Sequence, residues 1–158
     1  MKEEMLPVRF SGVALPSEDS MPVVVLSGDG GRVSVSVGAY EAGAIIMQIE
    51  GLSTPRPLTH QLLARIFRDQ GLELVRVEIY GVYGFEEDGF LARIVYGKGF
   101  RRKVMDVRPS DAIALALALG APLYAHASLL SPSIPDIPED SSYMETELFY
   151  RPGQTAEA

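Results

Sequence analysis

Two stretches of the chain lie over one another at a constant spacing, and this repeat constrains the fold more than any other feature. SVSVGAYEAGAIIMQIE, residues 34–50, matches VMDVRPSDAIALALALG, residues 104–120, at an offset of 70. Val37 falls on Val107, Ala42 on Ala112, Ile45 on Leu115 and Ile49 on Leu119, and Glu41 falls on Asp111. Each copy is a valine-bearing strand, then an entry carrying Gly38 or Pro109, then an apolar helix rich in small residues. Duplication of a hairpin-helix unit explains the match, and chance alignment of two small apolar helices is its rival.

The segments around the repeat supply the strands such units need. A first strand is expected near Val8–Leu15, followed by a loop through Pro16–Ser20. In MPVVVLSGDGGRVSVSVG a β-branched run, a Gly/Asp turn and a second alternating run predict a hairpin. PLTHQLLARIFRDQG predicts a helix with Leu58, Leu62, Leu63, Ile66 and Phe67 on one stripe and Gly71 as its stop. Leu74–Tyr80, Phe90–Tyr96 and Arg101–Val107 read as an antiparallel meander with turns at EEDG and GKG. In SDAIALALALG the leucines alternate like a strand, but Ala and Leu lead the helix scale and β-branched residues are nearly absent, so a buried helix is expected. APLYAHASLL follows as a strand.

Composition narrows the chemistry. At 158 residues one domain is expected, over residues 1–130, with an acidic, proline-containing arm or tail at 131–158. No apolar run reaches membrane-spanning length and MKEEMLPVRF lacks a signal-peptide core, so the expected location is the cytoplasm. Cysteine is absent, which removes disulfides, thiolate nucleophiles and sulfur-ligated zinc. A metal would sit mostly on oxygen, favouring Mg²⁺ or Mn²⁺, and no organic cofactor is expected. A net charge of −7 argues against general nucleic-acid affinity unless a local basic patch overrides it.

Three stretches could carry function. In DVRPSDAIALALALG, helix capping explains Pro109, Ser110 as N-cap and much of Asp111. Asp106 and Arg108 share a strand face and could simply pair. The functional alternative has Asp106 and Asp111 holding a hard cation and Arg108 binding phosphate near the free helix N–H groups. In STPRPLTHQLL, Arg56 and His60 lie near a helix start, where His60 could act as a general base or be an ordinary first-turn residue. The run GKGFRRKV, with Arg101, Arg102 and Lys103 beside Phe100, could follow a phosphate backbone or merely protect a strand edge. His126 reads as a core or interface histidine, and no P-loop, G-x-S-x-G or H-E-x-x-H motif is present.

EAGAI, then GLSTPRPLTHQLL, then DVRPSDAIALALALGAPLY, in this order and spacing, resemble the bifunctional nuclease family over roughly residues 8–130. Glu41, Arg56, Pro57, Thr59, His60, Asp106, Arg108, Pro109, Ser110 and Asp111 occupy the family's motif positions. VSVSVG departs from a strand that relatives commonly make more hydrophobic and furnish with a tryptophan. Some bacterial relatives add a C-terminal helical motif linked to DNA repair proteins, for which this chain shows no convincing room.

The resemblance implies a compact α+β domain with a mixed sheet, homo-oligomers (dimer or trimer), and cleavage of both DNA and RNA. On that expectation Glu41, Asp106 and Asp111 would hold Mg²⁺ or Mn²⁺, and Arg56 and Arg108 would clamp the phosphate. The run Arg101–Lys103 would track nucleic acid, and His60 would activate water or protonate the leaving oxygen. The alternative is a non-enzymatic homo-oligomeric module that binds an anionic ligand or a protein partner.

Overall fold

The computed structural model of the chain describes residues 4–15, 17–83 and 89–132. Seven strands form one mixed sheet: β1 (Met5–Ala14), β2 (Val23–Gly28), β3 (Gly31–Ser36), β4 (Glu73–Val82), β5 (Phe90–Lys98), β6 (Arg101–Val107) and β7 (Leu123–His126). Among the described residues three α-helices accompany it: α1 (Ala39–Ile49), α2 (Thr59–Asp69) and α3 (Pro109–Leu119). The spatial order is β3-β2-β1-β7-β4-β5-β6. All neighbours are antiparallel except β4 and β7. The expected meander of β4, β5 and β6 is present, and the sheet is mixed because β7 enters between β1 and β4.

The sequence repeat is also a structural one. Helices α1 and α3 keep the 70-residue offset at both ends, and β3 and β6 begin at that same offset. Each hairpin closes through a two-residue loop, since Gly28 pairs with Gly31 and Lys98 with Arg101. Gly99 needs its glycine, because its φ of 58° costs any residue with a Cβ. Strand β1 runs antiparallel to β7, and β7 parallel to β4, so β1 and β4 point in opposite directions, as strands related by a two-fold axis do. The two units therefore sit back to back around β7, each ending in an edge strand followed by a helix.

Helix α3 is the central beam. Ala112 to Ala116 are buried in succession, so the helix is covered on several sides, and its alanines allow α1, α2, β4 and β5 to approach. Ile113 and Ile45 reach full burial, each contributing roughly 1.5–3 kcal/mol. Gly120 ends α3 in the left-handed conformation, with φ 66°, and its N–H bonds to the carbonyl of Ala116.

Several expectations need correction. The α2 stripe is only half buried: Ala64 and Phe67 face the core, whereas Leu62, Leu63 and Ile66 are 48%, 42% and 46% exposed. The N-cap of α3 is Arg108 rather than Ser110, because Pro109 takes the first helical position and Ser110 is drawn into the turn and buried. His126 is not a core residue; its Nδ1 lies 2.7 Å from the Ser128 hydroxyl and caps a short 3₁₀ turn. Most of the EEDG turn, and the tail beyond Pro132, lie outside the described residues.

Candidate functional site

The last residues of β3 and β6, opposite edges of the sheet, line one cavity of about 670 Å³. The sheet therefore curls far enough to bring its two edges to a common cleft. Both repeated helix starts open onto it, through Gly38 and Glu41 of α1 and Arg108, Pro109 and Ser110 of α3. Neither helix has a side-chain cap at its N-cap residue. First-turn N–H groups carrying partial positive charge thus meet there from two directions.

Arg108 ties the two starts together. Its Nε donates to Asp111 Oδ2 at 2.9 Å and its Nη2 to Asp111 Oδ1 at 3.1 Å, a bidentate fork. Its Nη1 lies 3.7 Å from Glu41 Oε1. The Asp111 hydrogen bonds, then the Asp111 charge, with a smaller pull from Glu41, raise the Arg108 pKa above its ordinary value, so it stays cationic. The glycine at 38 leaves room for the Glu41 carboxylate to fold back over its own helix start, where a Cβ would meet it.

Asp106 does not pair with Arg108. It accepts a hydrogen bond from the Tyr80 hydroxyl at 2.8 Å, and the Arg93 guanidinium sits 4.5 Å from the centre of the Tyr80 ring. Arg93 and Arg76 in turn donate to opposite oxygens of buried Glu78, each at 2.6 Å. Burial alone would raise the Glu78 pKa, but the hydrogen bonds and charges of the two arginines outweigh it and hold it below the usual range. A braced row therefore runs from the sheet interior to the cleft: Glu78, Arg93, Tyr80, Asp106. Sequence reading missed Tyr80, Glu78 and Arg93, although period two along VRVEIYG already places Arg76, Glu78 and Tyr80 on one face.

Of the residues expected to form a site, the cleft gathers Glu41, Asp106 and Arg108, with Asp111 joined through Arg108. His60, Arg56 and the run Arg101–Lys103 do not line it. His60 lies in the first turn of α2 with Nε2 buried and lacking a hydrogen-bond partner among the described residues, and burial lowers its pKa. Arg56 is an exposed loop residue whose carbonyl accepts from the Thr54 hydroxyl. Arg102 binds Glu73 Oε2 at 3.2 Å and the Gly99 carbonyl at 3.1 Å, which fits protection of an edge strand.

The carboxylates expected to hold Mg²⁺ or Mn²⁺ are not arranged for it. Arg108 occupies Asp111 and approaches Glu41, while Tyr80 occupies an oxygen of Asp106. Among the described residues no group of three or more His, Asp or Glu side chains is placed to hold a metal ion. The cation already standing among these acids is a guanidinium.

One mixed seven-stranded sheet with three α-helices, among the described residues, defines a compact α+β protein. The chain belongs to the bifunctional nuclease domain family, whose model matches residues 24–135. It is similar to uncharacterized proteins from two strains of Mycobacterium tuberculosis, CDC 1551 and H37Rv. Each is 31% identical over 136 residues, covering 85% of this chain and 79% of the relative. No helix among the described residues is long and apolar enough to cross a membrane.

Proposed function

We propose that the protein is a nuclease that hydrolyses phosphodiester bonds of DNA and RNA in the cleft between the two repeated helix starts. The observation that carries this reading is the convergence of Arg108, the first turn of α3 and the Tyr80-braced Asp106 on one cavity. Arg108 and the helix N–H groups bind the phosphate and stabilise the charge that builds on its non-bridging oxygens. Asp106 accepts a proton from water as the water oxygen bonds to phosphorus. The bond from phosphorus to the leaving sugar oxygen breaks, and that oxygen takes a proton from solvent. Binding, charge stabilisation and water activation are thus each assigned to a group of the chain.

A second reading, a non-enzymatic homo-oligomeric module binding an anionic ligand, draws support from Arg108, which stands exposed at the start of α3 where a cation and helix N–H groups together can receive an anion. The half-exposed Leu62, Leu63 and Ile66 of α2, beside an apolar hollow of about 200 Å³ reaching Met105, offer the surface for a second copy.

Parent, Asp106→Asn and Arg108→Ala proteins, purified identically and shown folded, should be incubated with DNA and with RNA, with and without chelator. The nuclease reading expects Asp106→Asn to slow cleavage roughly 100-fold or more, as loss of a general base does. Equal rates in parent and variants point to a contaminating nuclease and leave the binding module. Cleavage abolished by chelator but restored by Mn²⁺ would mean that the acids regroup around an ion once substrate claims Arg108.

A further inference from the structure

We propose that the cleft receives one unpaired nucleotide at a time, making single-stranded DNA or RNA its substrate class; this rests on the nuclease reading above. The cavity is lined by both polar and apolar residues. Ser110 stands at the second position of α3, only 9% exposed, and lines the cavity beside Arg108. A hydroxyl donor beside Arg108 and the first-turn N–H groups of a helix suits a phosphate oxygen. Phe90 and Leu91 of β5 line the same space, as do Val35 of β3 and Met21.

A volume of about 670 Å³ lies within the range of roughly 300–1,000 Å³ typical of small-ligand sites, where a nucleotide belongs and a duplex does not. For a base to lay its face on Phe90 it must be out of the stack, which a single strand offers freely and a duplex only by flipping. Charge agrees with size. Among the described residues Arg108 is the only lysine or arginine lining the cavity, and the whole chain carries −7. The basic run begins at Arg101, roughly 16 Å along the strand from Asp106, and Arg102 there is held by Glu73. Duplex binding depends on a continuous cationic track, whereas one stacked base and one phosphate need only what the cleft has.

The test compares fluorescein-labelled oligothymidylate with the same strand annealed to oligodeoxyadenylate, and oligouridylate with its own duplex. Binding is read by anisotropy and cleavage on gels, for parent, Phe90→Ala, Phe90→Tyr and Ser110→Ala proteins. The proposal expects single strands to bind at least ten-fold more tightly than duplexes. It expects Phe90→Ala to weaken single-strand binding roughly 5- to 150-fold, the worth of one stacked base, and Phe90→Tyr to restore it. Ser110→Ala should weaken binding of strand and of free inorganic phosphate together. Equal affinity for strand and duplex, or indifference to Phe90→Ala in a folded protein, overturns the single-strand assignment while leaving the nuclease reading intact. Absence of binding to every nucleic acid overturns the nuclease reading itself, and this inference with it.

Discussion

Replacing Glu78 by glutamine tests the row that braces the cleft. Glu78 is 4% exposed and accepts one charge-assisted hydrogen bond from Arg76 and one from Arg93. Such bonds contribute about 1.5–3 kcal/mol each. The arginine side chains are 45% and 25% exposed, so both regain water when the charge is removed, and glutamine keeps one carbonyl acceptor. A net loss of about 2 kcal/mol follows, or roughly 4–8 °C in Tm for a chain of this length. The pH dependence fixes the cause. Because the folded-state pKa of Glu78 lies below its ordinary 4.5, its charge contributes fully above about that pH and the contribution fades as pH falls through the folded value. Thermal melts of parent and Glu78→Gln should differ at neutral pH and converge in acid. A difference that persists undiminished down to the lowest pH at which the protein stays folded would refute the ion-pair explanation.

Further expectations concern other parts of the molecule. Ile113→Ala, at a fully buried position of α3, should cost about 2–5 kcal/mol by denaturant titration, and a loss below one would mean the core is not built around that helix. Arg108→Ala should abolish phosphate binding yet lower stability by less than about 1 kcal/mol, since its ion pairs are solvent-exposed; calorimetry and a melt check both halves. The lowered pKa of His60 means that the unfolded chain takes up the proton first, so stability should fall as pH drops below 6.5, and His60→Leu should remove that slope. Leu63→Lys and Ile66→Lys, both half exposed, should leave the melting temperature of a monomer almost unchanged; if the protein is an oligomer through this face, light scattering will show it dissociate.

Local physics carried the sequence reading a long way in the elements and less far in the site. Turn glycines, alternation and helix propensity located the three α-helices and the hairpins β2–β3 and β5–β6 within a few positions, because those signals act between neighbours in the chain, whereas the strand expected over APLYAHASLL stops at His126 and gives way to a 3₁₀ turn. The α2 stripe misled, since a helical apolar face records that something covers it but not what, and this fold covers only Ala64 and Phe67. The candidate site was legible where it coincided with the repeat, at Glu41, Arg108 and Asp111. His60 and the basic run looked equally chemical as residues, and only the path of the strands separates them from the cleft.

The sequence by itself determined the repeat, the strand and helix inventory, and the family, all of which rest on the order and spacing of residues along the chain. Tertiary structure decided which of the acids and cations meet. The curl of the sheet brings both edges to one cleft, β7 enters between the two units, Tyr80 turns to Asp106, and Arg108 chooses Asp111 and Glu41 over its strand neighbour. Those choices depend on distances between residues far apart in the chain, which packing sets and no local propensity encodes.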